Sequence, residues 1–174
     1  EYATGLNGNV ETLAELRNGT IKKFICCNAG EINDVTDSTS ISNLKTGLSN
    51  SRFQTVSMNA NLLMFNGADT PLVYDGSTVV NSTIHGSGLT ASTLTGCNVH
   101  KNRLYAWDTD SSSFWYGSTN AIQGLFKEFD LSGVAPYGGN LILMETWNHD
   151  GGSGVDDYAL FLMSSGTAFL YEGS

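Results

Sequence analysis

Charge is what this sequence has least of. Only 14% of its 174 residues are Asp, Glu, Lys or Arg, against about 25% in a typical soluble domain. Of these, 8 are basic and 17 acidic, giving a formal net charge of -9. Gripping nucleic acid takes Lys and Arg to neutralise phosphates and release counterions, so the composition argues against tight DNA or RNA binding. Cysteine is scarce too: Cys26, Cys27 and Cys97. The odd number argues against a disulfide framework. Cys26 and Cys27 adjoin in an apolar run, where a strand points them to opposite faces, and they lack the further ligands a zinc site needs. They read as buried, reduced thiols. No apolar run approaches the roughly 18 residues of a membrane span, so none is expected. The basic-then-apolar opening of a signal peptide is absent as well. The chain begins at Glu1-Tyr2-Ala3 without Met, which suggests processing or an excerpt of a longer propeller.

Sustained helical periodicity is also missing. Ile41–Leu48 has room for a turn or two of helix, weakened by Gly and β-branched residues. Gly124–Leu131 fits a short helix or a strand equally. What fills the space is glycine, 20 residues of it, together with Ser, Thr and Asn, the residues of turns.

Four segments share one plan of apolar strand, polar turn and second strand: Phe24–Val35, Leu62–Gly76, Arg103–Gly117 and Ala159–Gly173. Three end alike, in Val73-Tyr-Asp-Gly76, Trp115-Tyr-Gly117 and Leu170-Tyr-Glu-Gly173. Another apolar strand precedes each, at Val10–Leu16, Phe53–Met58, Thr95–Val99 and Leu141–Trp147. The spacing, roughly 40 to 55 residues, is that of four-stranded propeller blades. The chain reads as one all-β repeat domain over 1–174, with repeats near 10–37, 53–76, 95–118 and 141–174. The preferred architecture is β-propeller blades, with a β-sandwich as the alternative. Turns are expected near Asn66-Gly67, Asp108–Ser113 and Ser164–Gly166, and loops at Ser77–Ser92 and Asn148–Asp157.

Chemistry-bearing groups are few. Asp150, Asp156 and Asp157 flank a glycine-rich stretch beside His149, but their spacing departs from an EF-hand. The cluster reads as a solvated turn and not as an active site. Asp108 and Asp110 before Ser111–Ser113 read the same way. Trp107, Trp115, Tyr116 and Trp147 suit sugar stacking, yet their recurrence at equivalent repeat positions favours packing between repeats. His85, His100 and His149 have no Gly-x-Ser-x-Gly elbow to work with, and no phosphate loop is present. Asn18-Gly-Thr20 and Asn81-Ser-Thr83 match a glycosylation acceptor, a pattern too common to weigh. No catalytic, cofactor-binding or metal residue is assigned, and the chain is read as no enzyme.

Several stretches resemble one family. They are Ala3–Leu16, Leu48-Ser-Asn-Ser-Arg-Phe-Gln54, Phe65–Gly76, Val99-His-Lys-Asn-Arg-Leu-Tyr105 and Gly154–Gly166. The resemblance is to the β-propeller tail proteins of short-tailed bacteriophages, the nozzle (tail tubular B-like) and packaged-DNA-stabilisation proteins. It implies a virion structural protein assembled in the host cytoplasm. It further implies a homo-oligomeric, sixfold ring in the tail, beside neighbouring tail or adaptor proteins, through which DNA passes during genome ejection. An acidic wall suits such a conduit, because it repels phosphate within a screening length of about 8–10 Å. The rival expectation is a carbohydrate-binding or glycan-cleaving propeller.

Overall fold

The computed structural model describes residues 5–37, 39–150 and 155–172, and of the side chains at 149, 150, 155 and 156 nothing is said. The described residues are all β. Among them fifteen strands are joined by turns, and the only helical pieces of the described residues are 3₁₀ turns at Ala91–Thr93 and Leu131–Gly133. The strands form four antiparallel sheets, each an up-and-down meander in chain order. Sheet 1 holds β1 (Val10–Asn18), β2 (Ile21–Asn28), β3 (Glu31–Asp37) and β4 (Ser40–Lys45). Sheet 2 holds β5 (Gln54–Met58), β6 (Asn61–Phe65), β7 (Leu72–Tyr74) and β8 (Val79–Asn81). Sheet 3 holds β9 (Gly96–His100), β10 (Arg103–Trp107), β11 (Ser113–Tyr116) and β12 (Lys127–Asp130). Sheet 4 has three strands, β13 (Leu141–Asp150), β14 (Val155–Met163) and β15 (Ala168–Tyr171).

The sheets stack in series through three cores. Successive side chains on a strand point to opposite faces, and the apolar runs of the middle sheets exploit this. Leu62 and Met64 of β6 join Leu16, Ile25 and Ile32 in the core between sheets 1 and 2. Leu63 and Phe65 of the same strand join Leu104, Ala106 and Trp115 in the core between sheets 2 and 3. In β10, Tyr105 and Trp107 turn the other way and meet Met144 and Phe161 between sheets 3 and 4. Strands buried on both faces need continuous apolar sequence, whereas one-sided strands alternate. Hence Asn61-Leu-Leu-Met-Phe65 lies in a middle sheet, and Glu11-Thr-Leu-Ala-Glu-Leu16 in an end sheet. Cys27 sits in the core between sheets 1 and 2 while its neighbour Cys26 is buried on the opposite face of β2; all three cysteines are free thiols.

A connector knots sheets 1 and 2 together. The Thr12 hydroxyl donates to the Ser51 carbonyl and accepts from the Phe53 N–H, both at 2.8 Å. The Asp69 carboxylate accepts from the N–H groups of Ser49 and Asn50 and from the Asn66 amide. Leu48–Gln54 and Phe65–Gly76, two stretches of the resemblance, are thus joined by hydrogen bonds. The Tyr-Asp-Gly ending is structural also. Tyr74 is fully buried, and the Asp75 carboxylate accepts from the N–H groups of Ser77 (2.8 Å) and Thr78 (2.7 Å). Gly76 (φ 98°) passes so close to Ile21 that a Cβ would lie 3.2 Å from its Cγ2.

The three expected turns lie where the sequence put them, between β6 and β7, β10 and β11, and β14 and β15. Three expectations are corrected, and one open alternative is resolved. Ile41–Leu48 begins in strand β4 instead of a helical turn, because pairing with β3 outweighs weak helical preference. Ser77–Ser92 is no plain loop: it contains β8 and part of a 3₁₀ turn. Gly124–Leu131 resolves to strand β12 and the start of a 3₁₀ turn capped by Asp130, which accepts from the Ser132 N–H. Of the expected loop Asn148–Asp157, the described residues 148–150 and 155–157 are paired strand, with Asn148 opposite Asp157 and Asp150 opposite Val155. The repeats accordingly run past their expected ends in the first three sheets, to Lys45, Asn81 and Asp130.

Candidate functional site

A cleft of about 480 Å³ lies between sheets 3 and 4 and combines side chains of both. Sheet 3 contributes Arg103 and Tyr105 from β10, Phe114 and Tyr116 from β11, and Phe129 from β12. Sheet 4 contributes Phe161 from β14 with Phe169 and Tyr171 from β15. Alternation explains the gathering. Phe114 pairs with Phe129 and Tyr105 with Tyr116 across sheet 3, while Phe161 pairs with Phe169 across sheet 4. Directly paired residues share a face, so each sheet turns its aromatic row toward the other.

Phe114 is the hub of the site. Its ring stacks on Phe161 at 4.9 Å between centroids and on Phe129 at 5.3 Å. Tyr105 and Tyr116 lie tilted beside it at 5.7 and 6.2 Å. The inner part of the cleft is closed, with Tyr105, Phe114 and Phe161 all buried; burial pushes the Tyr105 phenol above its ordinary pKa. The mouth is open, and Phe129 and Tyr171 remain about half exposed. Arg103 is the cation in the lining. Its guanidinium lies 5.3 Å from the Tyr116 ring centroid and donates to the Gly117 carbonyl at 3.3 Å. A cation over an aromatic face is held by the ring quadrupole, so Arg103 is engaged in the wall. The cleft therefore offers aromatic surface with few polar groups. It suits apolar side chains far better than an ionic ligand.

The other candidates serve the fold. Asp108 accepts from the Asp110 N–H at 2.9 Å and shapes the β10–β11 turn. Residues 151–154 of the acidic stretch, and the side chains of His149, Asp150 and Asp156, lie outside those described; Asp157 is half-buried. Among the described residues no three His, Cys, Asp or Glu side chains converge as a metal site. His85 is exposed, with Nδ1 2.9 Å from the Thr83 carbonyl. His100 is buried, with Nδ1 3.2 Å from the Thr146 hydroxyl and its ring edge-on to Tyr105. Burial, aided by Lys101 and opposed by Asp157, lowers its pKa, so it is a neutral tie between β9 and β13. Trp107 and Trp115 are buried in different cores, as packing between repeats requires. Trp107 lies so close over Gly96 that a Cβ there would meet the indole at 2.1 Å. Tyr116 stands at the cleft, and Trp147 is half exposed on the outer face of sheet 4.

Sequence reasoning singled out Tyr116 but not the cleft. The signal available was the x-spaced pairs Phe114-x-Tyr116 and Phe169-x-Tyr171, which alternation places on one face. Which faces meet is decided by the stacking of sheets, and no single segment reports that. No protein-family model matches this chain, and no curated protein matches it.

Proposed function

We propose that this chain is a structural component of a bacteriophage tail, a run of propeller blades that acts by assembly and not by catalysis. The observation that carries the reading is the serial stacking of meander sheets through three separate cores. Propellers repeat four-stranded sheets radially in this manner. The first strands of sheets 2, 3 and 4 approach one another, β5 with β9 and β9 with β13, as inner strands do around an axis, while β1 of sheet 1 meets β6. The two end sheets keep apolar groups on their outer faces: Leu13 and Phe24 on sheet 1, Trp147 and Leu170 on sheet 4. Such faces are surfaces for further blades or subunits. The acidic balance suits a ring that DNA traverses without sticking, and the resemblance supplies the sixfold ring, the tail and the adaptor neighbours.

A glycan-binding propeller is the second reading, favoured by the aromatic cleft, since aromatic faces also stack on sugars. Electron microscopy of the purified protein separates the two. Rings with an open central channel are expected. Isolated single particles, together with a glycan-dependent rise in melting temperature, would replace the tail reading with the glycan reading.

A further inference from the structure

We propose that Asn18, at the tip of the β1–β2 hairpin, is a site of spontaneous deamidation, which writes a new carboxylate into sheet 1 as the protein ages. The chemistry needs only water. The backbone nitrogen of Gly19, once deprotonated, attacks the side-chain carbonyl carbon of Asn18. A C–N bond forms, ammonia leaves with the side-chain nitrogen, and a succinimide ring results. Water then opens the ring at either carbonyl, giving aspartate or isoaspartate, whose main chain is longer by a carbon. The reaction asks for a free amide side chain, an unshielded glycine nitrogen and a backbone that can move. The chain holds three Asn-Gly pairs, at Asn7, Asn18 and Asn66, and the structure sorts them. Asn18 is exposed, and among the described residues its amide meets no partner. Gly19 (φ 54°) lies in the two-residue turn, where a Cβ would meet no atom within 4 Å. An exposed hairpin tip of this kind opens locally at little cost. Arg17 and Lys22 stand opposite each other one position behind the tip, and Glu15, 2.8 Å from Arg17, balances one of them. The remaining cation favours the anionic nitrogen, weakly because it lies in water. Asn66 is the opposite case. It is buried, its Nδ2 donates to the Asn50 carbonyl at 2.8 Å and to the Asp69 carboxylate at 2.7 Å, and its Oδ1 accepts from the Asp69 N–H at 2.9 Å. The Gly67 N–H donates to the Leu94 carbonyl at 2.9 Å, and Thr95 packs against Gly67. Neither reactant there is free. Asn7 is exposed, but the buried Asn28 amide holds its carbonyl at 2.6 Å and pins the backbone. At Asn18 the longer isoaspartate backbone would disturb the pairing of residue 18 with Ile21, where the hairpin sets its register.

The modification is independent of the assembly reading, so the two fail separately. The test ages the full chain in neutral buffer at physiological temperature, beside a sample unfolded in urea, and follows the three Asn-Gly peptides by mass spectrometry after digestion. In the folded chain Asn18 is expected to convert at least about tenfold faster than Asn66, which must first give up several buried hydrogen bonds, and faster than Asn7. In urea the three rates are expected to converge. Aspartate and isoaspartate are both expected at position 18, resolved by chromatographic retention. Asn18→Gln is expected to abolish conversion there, with an unchanged circular dichroism spectrum as proof of folding. A folded-state rate at Asn18 no greater than at Asn66 or Asn7, the same rate differences persisting in urea, or aspartate alone as product would each overturn the proposal.

Discussion

The first and third inter-sheet interfaces are built to the same plan and finished differently. Between sheets 1 and 2, both fourth strands contribute to the core, and Thr12, Ser51 and Phe53 tie the layers with buried hydrogen bonds. Between sheets 3 and 4 an aromatic stack around Phe114 joins aliphatic residues such as Leu141, Met144 and Met163. Among the described residues sheet 4 has three strands, and a cleft lies between it and sheet 3. Both interfaces are tied by hydrogen bonds as well as packing: Asn98 of β9 donates to the Met144 carbonyl of β13 at 3.0 Å, and His100 meets the Thr146 hydroxyl at 3.2 Å. The interface between sheets 3 and 4 is closed inside and open at its rim.

The largest expected effect breaks the firm part of the open interface. Phe114→Ala removes the ring that stacks on both Phe129 and Phe161 and is expected to cost ~3–5 kcal/mol, as large-to-small core changes do; urea unfolding measures it. Thr12→Val tests the filled interface. It keeps the shape but leaves the Ser51 carbonyl and Phe53 N–H without their buried partner, at an expected cost of ~1–3 kcal/mol. At the rim, Phe129→Ala is expected to cost only ~1 kcal/mol, the worth of an aromatic pair already half in water. A cost equal to that of Phe114→Ala would erase the distinction between core and rim.

A smaller effect belongs to the filled interface. The Tyr74 hydroxyl is buried without a hydrogen-bond partner, so Tyr74→Phe is expected to be neutral or stabilising by up to ~1 kcal/mol. Burial, with Asp34 and Asp75 nearby, pushes the Tyr74 phenol up to about 12, and burial pushes the Cys27 thiol up to about 12 from an ordinary 9.0. Both groups keep their protons in the folded state at a pH where the unfolded chain releases them. Their contribution to stability is whole below the unfolded pKa and is lost as pH rises from about 9 toward 12. Melting temperature against pH is expected to fall over that window, less steeply in Tyr74→Phe and in Cys27→Ala. An identical slope in all three proteins would contradict the buried placement.

The sequence disclosed the middle of each sheet better than its margin. Leu62–Phe65 and Leu104–Trp107 are apolar at every position because both faces are buried, and so they were legible. The fourth strands were missed or left ambiguous because they are short, polar and outermost: Ser40–Lys45 carries two serines, an asparagine and a lysine, and Lys127–Asp130, in a stretch that fitted helix or strand equally, is exposed throughout. Edge strands carry such residues to discourage stray pairing, which makes them resemble loops. Of the cleft, the aromatic pairs were visible in the sequence. Their meeting was not, because it unites β10, β11 and β12 with β14 and β15 across a sheet-to-sheet interface that no local pattern encodes.

Native mass spectrometry of the full chain across a concentration series tests the assembly account most directly. The account predicts one closed oligomer of fixed stoichiometry, which loses subunits when Leu13 and Trp147 on the outer end faces are changed to Glu. A monomer at every concentration, with unaltered mass in those variants, would contradict it.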